Sequence, residues 1–333
     1  MGDPARSEPE QASRDRSGSG PASGPDGVEH RDGEVTDCRE GDKVEIVDRG
    51  TLTFGHSPDP DDAYMFYGFE KDAVHVDVPD EGKGRVDRWK VGHLLEDIQS
   101  LNERALSGEL EITAISAHTY PHVADKYYVM RTGVSMGDGY GPIVVTREPC
   151  SLSDLRGKRI AIPGKMTTAN LVFQLYLPDH EPVPVFFDQI QEAVRTGKVD
   201  AGVLIHEGQL TYKADGVEKI ADLGVMWQEE TGLPLPLGLD VVRKDLGRDV
   251  GEACTRALRR SIEFAREHHE AAMTYALDYG RGLDMQLGDR FVGMYVNDWT
   301  VDMGDAGEAA LRTLLERGAK AGIVPPIKEL ILV

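Results

Sequence analysis

The sequence predicts an α/β protein with two lobes, because short apolar runs alternate with helical segments and this pattern starts afresh in the middle of the chain. The chain has 333 residues, of which 40% are hydrophobic. That content is enough for one large or two ordinary domains with buried cores. Alternation of strands and helices favours mainly parallel or mixed sheets covered by helices. We therefore expect two α/β lobes joined by two crossings of the chain.

The N-terminal segment, residues 1–45, is predicted to be a disordered acidic tail. It is rich in Gly, Ser, Pro, Asp, Glu and Arg, and large apolar side chains are almost missing from it. Such a composition cannot bury enough apolar surface to offset the entropy lost on ordering. We expect ordered structure to begin near Val44.

The first lobe is predicted to comprise residues 46–142 and 240–333. Asp61 and Asp62 follow the turn after the first strand, where acidic side chains complement the N-terminal end of a helix. Residues from about 250 onward show helical spacing of large apolar side chains, so we expect helices that pack on this lobe. The other predicted elements are strands at 51–55, 75–78 and 110–115, and a helix over 89–106.

The second lobe is predicted to comprise residues 143–239. A glycine-rich stretch at 137–142 marks the crossing into it, and the run at 231–243 leads back. Between them we expect strands at 143–146, 158–163, 183–187 and 199–205, and a helix from about Thr167.

Charge and cysteine usage limit the classes of partner. The formal net charge of −21 disfavours nucleic acid and anionic membrane surfaces. A small anion remains possible, since a helix N-terminus can hold a carboxylate against an unfavourable overall field. The cysteines Cys38, Cys150 and Cys254 are widely spaced, which favours a reducing compartment. With no secretory signal or membrane-spanning run in the sequence, we expect a cytoplasmic protein.

His206 is the leading candidate for chemistry, because it stands where the apolar run at 199–205 stops and a polar turn begins. Imidazole titrates near neutral pH, so it is well suited to accept a proton. In open α/β sheets, ligands bind outside the carboxyl ends of the strands, which is where this residue is expected. The alternative is a histidine that only hydrogen-bonds at a strand end.

Three predicted strand ends converge on one cleft: Ser116, the turn at 166–169, and His206. Thr167 and Thr168 can cap a helix, and their hydroxyls with the free amides that follow would form an anion site. Ser116 offers the same chemistry. The alternative for each of these residues is ordinary helix capping.

Several motifs then occur in order, and together they resemble the 1,4-dihydroxy-6-naphthoate synthase family of the futalosine route to menaquinone, over about residues 52–326. The resemblance implies a fold like that of type II periplasmic binding proteins. The matching segments are Gly-His-Ser-Pro-Asp-Pro-Asp-Asp (55–62), Gly-Lys-Met-Thr-Thr-Ala (164–169), Ala-Gly-Val-Leu-Ile-His-Glu (201–207), Thr-Gly-Leu-Pro-Leu-Pro-Leu-Gly (231–238) and Tyr-Val-Asn (295–297).

The resemblance also implies a carbon–carbon lyase that needs no cofactor and no metal, and that converts cyclic dehypoxanthine futalosine to 1,4-dihydroxy-6-naphthoate. His206 would be the proton acceptor. The protein would act as a monomer or homodimer on a small carboxylate substrate. Two positions depart from the family pattern: Ala114, where the family often has lysine, and Asp-Pro-Asp-Asp at 59–62, where it often has Cys-Pro-Asn-Asp. The implied substrate contacts are Ala114, Ile115, Ser116, Thr168 and Ala169.

Other polar clusters favour structural interpretations. His118 and His122 stand four apart, but Pro121 interrupts their helix and no third metal ligand is evident. Asp59, Asp61 and Asp62 could bind a divalent cation, yet their spacing differs from that of an EF-hand, which favours helix capping. His268, His269 and Glu270 fall in a charged helix and are expected on a solvated face.

Two rival functions remain open at this point. Chorismate dehydratase shares the two-lobed fold and also acts on a carboxylate, although the Ile-His-Glu motif favours the synthase. A solute-binding protein without catalysis is the second rival, and the fold alone is its argument.

We predict that residues 1–43 are dispensable for stability and activity, because their composition gives them no apolar surface with which to pack. A chain that starts at Val44 should keep the melting temperature and the turnover of the full chain. Calorimetry and an activity assay on the two chains make the comparison. A loss of several degrees on truncation would mean that the tail docks on the folded body.

Overall fold

The structure is a computed structural model that describes residues 44–333. The predicted tail therefore lies outside the described residues, apart from its last two positions. The strands are β1 (Glu45–His56), β2 (Val76–Asp80), β3 (Arg85–Leu95), β4 (Ile112–Ser116), β5 (Tyr127–Val129), β6 (Ser135–Gly137), β7 (Ile143–Thr146), β8 (Arg159–Ile162), β9 (Glu181–Pro184), β10 (Ala201–Leu204), β11 (Glu218–Asp222) and β12 (Leu235–Arg243).

The helices cover both sheets and follow the strands in alternation, as the sequence predicts. They are α1 (Pro60–Met65), α2 (Tyr67–Glu70), α3 (Ile98–Ser107), α4 (Tyr120–Val123), α5 (Thr168–Tyr176), α6 (Ile190–Arg195), α7 (Gly208–Thr211), α8 (Leu223–Thr231), α9 (Arg248–Glu267), α10 (His269–Leu277), α11 (Met285–Tyr295), α12 (Asp298–Val301) and α13 (Gly304–Lys320).

The strands form two mixed sheets. The larger has the order β2-β3-β1-β4-β12-β5, with β6 paired to β12. The smaller has the order β11-β7-β10-β8-β9, and all its strands come from residues 143–222. β1 runs parallel to β3 and β4, and β8 runs parallel to β9 and β10, whereas β12 is antiparallel to its neighbours. The mixed form of the two predicted sheet types is therefore the correct one.

The chain passes once from the larger sheet to the smaller and once back. It leaves the larger sheet after β6, at Gly137, and returns to it with β12, which begins at Leu235. One hydrophobic cluster contains side chains of both sheets, among them Ile115 and Leu239 of the larger and Ile162 of the smaller. The boundaries of the two lobes, at 142/143 and 239/240, stay predictions.

The predicted helix over 89–106 is wrong in its first half, because residues 85–95 form the strand β3. β3 pairs with β1 along its length, and its first half, residues 85–89, also pairs with β2 on the other side. That long-range pairing outweighs the local helical spacing. The helix α3 begins only at Ile98, where the Asp97 carboxylate accepts bonds from the amides of Gln99 and Ser100.

The C-terminal helices pack on the larger sheet, as predicted. On α9, Ala257, Leu258 and Ile262 are buried and lie in one cluster with Leu52 of β1 and Val242 of β12. Their spacing places them on one face of a helix, so burying that face stabilises both the helix and the sheet. Within residues 44–333, no helix combines the length and the apolar character needed to cross a membrane.

We predict that Gly224→Ala destabilises the fold, because Gly224 meets the backbone that connects the two sheets. A Cβ atom added at Gly224 would lie 1.9 Å from the carbonyl oxygen of Tyr140, and backbone cannot move aside as a side chain does. Overpacking of this kind costs about 1–3 kcal/mol. Chemical denaturation of the variant and the parent measures the difference.

Gly293→Ala on α11 is the matched control, because no atom lies within 4 Å of the added Cβ there. Replacing a helical glycine by alanine in open space stabilises by about 0.5–1 kcal/mol. Equal stabilities of the two variants would show that the contact at Gly224 relaxes without cost.

Candidate active site

A cavity of about 110 Å³ opens where strands of both sheets end. A single water molecule needs roughly 10–15 Å³ on the same measure, so the cavity has room for a ligand of several heavy atoms. β1 and β4 are parallel neighbours in the larger sheet, and β8 and β10 are parallel neighbours in the smaller. Their carboxyl ends direct the following loops into this space, which is the arrangement that open α/β sheets use for ligands.

The residues predicted for the site line this one cavity. They are Ala114, Ile115, Ser116, Thr168, Ala169 and His206. Their distribution follows the fold: three lie at the end of β4, two at the start of α5, and His206 two residues after β10. Their individual roles in binding and catalysis stay predictions.

The start of α5 presents two free amides to the cavity. Thr167 is the N-cap, as predicted, and its hydroxyl accepts a bond from the Asn170 amide at 3.3 Å. Among the described residues, the amides of Thr168 and Ala169 have no acceptor. Unpaired N–H groups at a helix N-terminus, together with the positive end of the helix dipole, favour an anion.

The hydroxyl of Thr168 does not cap the helix, which corrects the prediction for this side chain. It donates to the carbonyl oxygen of Leu237 at 2.6 Å and accepts from the amide of His118 at 3.3 Å. Thr168 therefore ties α5 to β12 and to the loop after β4. Its amide, by contrast, has no hydrogen-bond acceptor among the described residues, and Thr168 lines the cavity.

Ser116 is held by a buried asparagine on α3. Its amide donates to Asn102 Oδ1 at 2.8 Å, and its hydroxyl oxygen accepts from Asn102 Nδ2 at 3.1 Å. Since the hydroxyl accepts the asparagine bond, its own hydrogen is left to donate. Ser116 lines the cavity, so that hydrogen is available to a ligand.

His206 stands at the mouth of the cavity with one ring nitrogen engaged. Its Nδ1 lies 3.4 Å from Oδ2 of Asp59, whose side chain is only 3% exposed. The ring meets Phe187 edge to face at 4.9 Å between centroids. The Nε2 atom is then the nitrogen that remains for a ligand. His206 also has a φ of 52°, in the left-handed region that non-glycine residues rarely adopt.

Three buried carboxyl groups in the cavity favour their neutral forms. Burial raises the pKa of Asp61, Asp62 and Asp240 well above the usual value of 3.8. Asp61 also faces the charges of Asp62 and Asp59, and Asp62 faces that of Asp240, which adds to the shift. Neutral carboxyls do not repel an anion, so this wall tolerates a carboxylate ligand better than ionised aspartates would.

A tyrosine hydroxyl completes the polar lining opposite the sheets. Burial, with a smaller effect of Tyr140, raises the pKa of Tyr295 well above its usual value, so its hydroxyl stays protonated. Gln209 Nε2 donates to this hydroxyl. The tyrosine hydrogen is therefore free to be donated to a ligand.

The other histidines singled out in the sequence, His118, His268 and His269, have no contact with His206 in the described structure. His118 Nδ1 is hydrogen-bonded to the carbonyl of Thr167 at 3.0 Å, and burial lowers its pKa to about 4. His118 thus packs the loop after β4 against α5. His268 and His269 are exposed, as predicted for a solvated face, although His269 also contacts Asp289 at 2.9 Å.

The sequence-based assignment of the aspartate cluster to helix capping is wrong for Asp59. α1 begins at Pro60, but the side chain of Asp59 makes no capping bond and contacts His206 instead. The sequence patterns assign no site role to Tyr295, Gln209 or Asp240. For Tyr295 a signal existed, because it opens the Tyr-Val-Asn motif. For the other two, only the three-dimensional structure brings them to the cavity.

We predict that Asp240→Asn changes the pH dependence of stability. A carboxyl whose pKa is raised on folding favours the folded state below its unfolded value of about 3.9, and this contribution is lost as pH rises through the folded pKa. Asp240→Asn has no carboxyl at this position, so it does not lose stability in this way as pH rises. Its melting temperature relative to the parent should therefore rise between pH 5 and pH 9. Exposed Asp278→Asn is the control and should show a constant difference. A constant difference for Asp240→Asn as well would contradict the buried, neutral assignment.

Comparison with known proteins identifies the family. A family model described as menaquinone biosynthesis matches residues 52–320. A 1,4-dihydroxy-6-naphthoate synthase from Thermus thermophilus is 38% identical over 275 residues, which cover 83% of this chain and 96% of that relative. These two findings confirm the family that the motifs indicate.

Solved structures show the same fold. A protein from Archaeoglobus fulgidus is 45% identical, with a TM-score of 0.76, over 82% of this chain and 98% of that one. The alkanesulfonate-binding protein SsuA from Xanthomonas axonopodis pv. citri is 13% identical, with a TM-score of 0.60, over 86% of this chain and 99% of that one. The second likeness confirms the predicted periplasmic-binding-protein-like fold. With a family model and a relative matching over most of its length, the chain belongs to the menaquinone biosynthesis family.

Proposed function

We propose that the protein is a 1,4-dihydroxy-6-naphthoate synthase, a carbon–carbon lyase that forms this product from cyclic dehypoxanthine futalosine. The observation that carries the proposal is the shared cavity of His206 and the free amides of α5. A proton acceptor and a carboxylate site are the two elements that this reaction needs from the protein. Membership of the menaquinone biosynthesis family supports it further.

In this proposal the substrate carboxylate binds at the start of α5. The amides of Thr168 and Ala169 would donate to it, and the hydroxyl of Ser116 would add a third bond. Hydrogen bonds to a charged group contribute about 1.5–3 kcal/mol each. Because they hold a group remote from the reacting carbons, they orient the substrate without taking part in the chemistry.

His206 would act at the other end of the substrate as the proton acceptor. Its Nε2 is the ring nitrogen not directed at Asp59, so it can reach a C–H that a neighbouring carbonyl makes acidic. The electron pair of that C–H bond then forms a carbon–carbon double bond in the ring, and the bond to the sugar-derived carbons breaks. These carbons leave with the electron pair of the broken bond and take up a proton, and the ring that remains is aromatic. A positioned imidazole commonly contributes on the order of 10² to 10⁴ in rate.

The remaining cavity residues suit this chemistry. The hydroxyl of Tyr295 is protonated and can donate to an oxygen on which negative charge develops. Ala114 leaves the wall beside Ser116 without the cation often found in the family. The amides of α5 and the neutral carboxyls therefore make up the electrostatic environment of the substrate carboxylate. We also propose that the reaction takes place in the cytoplasm, which membership of a biosynthetic family supports.

We predict that His206→Ala abolishes turnover while folding and binding of the product are retained. Loss of a general base should lower kcat by about 10²-fold or more. The assay incubates purified protein with cyclic dehypoxanthine futalosine and follows 1,4-dihydroxy-6-naphthoate by absorbance and mass. Activity within about threefold of the parent would remove His206 as the base.

Two further arms make that experiment specific. His268→Ala removes an exposed histidine far from the cavity lining and should leave kcat unchanged. Chorismate, incubated in parallel, should give no enolpyruvyl-bearing product. Dehydration of chorismate with no naphthoate formed would replace the synthase by chorismate dehydratase, and binding without turnover of either compound would indicate a solute-binding protein.

A further inference from the structure

Asp59 is a buried carboxylate in the cavity lining with two partners, His206 of the same lining and Arg281. Its Oδ2 lies 3.4 Å from Nδ1 of His206, and its Oδ1 lies 2.7 Å from Nη1 of Arg281. A buried charge without partners is costly, so this arrangement requires both contacts. The carboxylate is directed at the histidine rather than at the helix that follows it.

Arg281 joins parts of the chain that carry different sheets. Besides Asp59, its Nη1 contacts Oε1 of Glu207 at 3.1 Å, and its guanidinium lies 4.8 Å from the centroid of Phe187. Glu207, Phe187 and His206 come from the segment of the smaller sheet, whereas Asp59 follows β1 of the larger. Arg281 therefore links the segment after β1 with the segments that carry Glu207 and Phe187.

The backbone supports a specific role for this cluster. Among the described residues, three that are not glycine have a positive φ: Asp72, His206 and Arg281. Two of the three are the partners of Asp59. Such conformations cost on the order of 1–3 kcal/mol and persist where the surroundings fix them, most often at functional sites.

We propose that Asp59 positions His206 for catalysis, with Arg281 holding the Asp59 carboxylate in place. This inference rests on the proposed function, in which His206 is the proton acceptor. A carboxylate at Nδ1 keeps the ring proton on that nitrogen and leaves the lone pair of Nε2 facing the substrate. It also stabilises the imidazolium that forms when Nε2 takes the proton, without itself becoming protonated. Asp59 is thus a positioning residue, and so is Arg281.

The charges around the His206 ring lead us to expect opposite shifts of its titration midpoint when Asp59 or Arg281 is replaced. Asp59 and Asp61 face His206 with negative or potentially negative groups. Arg281 places a positive charge between Asp59 and Glu207. Removing the Asp59 charge should therefore favour the neutral ring, and removing the Arg281 charge should favour the protonated ring. A charge at this distance typically moves a titration midpoint by on the order of one pH unit or more.

The test is a titration of His206 in the unliganded protein by nitrogen-detected NMR, with His206→Ala identifying the signal. In Asp59→Asn the midpoint should move to lower pH, and in Arg281→Met to higher pH. Arg281→Lys keeps the charge and should stay close to the parent. Asp289→Asn, which removes the same charge beside exposed His269, should leave the His206 midpoint unchanged. Unmoved midpoints, or shifts of the same sign in Asp59→Asn and Arg281→Met, would overturn the proposal.

Kinetics provide the second readout. Asp59→Asn should lower kcat by on the order of 10²-fold with little change in KM, and the acid limb of kcat against pH should move in the same direction as the NMR midpoint. If Asp59→Asn fails to fold, the comparison of Arg281→Met with Arg281→Lys tests the proposal instead. The Arg281 side chain is 33% exposed, so replacing it should disturb folding less. The titration does not depend on turnover. An active His206→Ala with the expected NMR shifts would therefore refute the base while leaving the Asp59 contact established.

Discussion

Two pairs of parallel strands, β1 with β4 and β8 with β10, end at the same cavity, and the loops that follow them supply its polar lining. This convergence determines the rest of the site. Parallel strands leave their carboxyl ends on one edge, so loops distant in sequence become neighbours there. Ser116, the start of α5 and His206 meet for that reason alone. Asn102, Thr168 and Gly224 then fix the loops in position through contacts between elements.

The proposed binding of an anion by an acidic protein poses an electrostatic problem, which the composition of the cavity lining addresses. The formal net charge is −21, yet the proposed anion site consists of backbone amides and a hydroxyl. Burial keeps nearby carboxyls toward their neutral forms, which removes local repulsion. Asp59, which lines the cavity and contacts Arg281, lies beside His206. In the proposed reaction, charge is therefore placed beside the base and is suppressed where the substrate carboxylate would bind.

Much of this organisation can be predicted from the sequence, because local patterns mark strand ends and helix starts. The apolar run before His206 and the Thr-Thr pair at the start of α5 indicate residues that line the cavity. Residues 89–95 could not be assigned locally, because they are a strand through pairing with β1, and only Trp89 among them pairs with β2. Asp59 is likewise predicted to be a helix cap, because it directly precedes α1 and its true contacts are not local. Its partners, His206 and Arg281, lie far along the chain, and nothing in the Asp-Pro-Asp-Asp motif indicates them.

In the proposed reaction, one cavity holds the substrate carboxylate at the start of α5 and presents the reacting carbons to His206. A crystal structure of the protein with bound 1,4-dihydroxy-6-naphthoate tests it most directly. In that crystal structure we expect the carboxylate oxygens of the product within about 3 Å of the amides of Thr168 and Ala169, and its naphthalene ring beside Nε2 of His206. A product bound with its carboxylate elsewhere, or with its rings out of reach of His206, would contradict it.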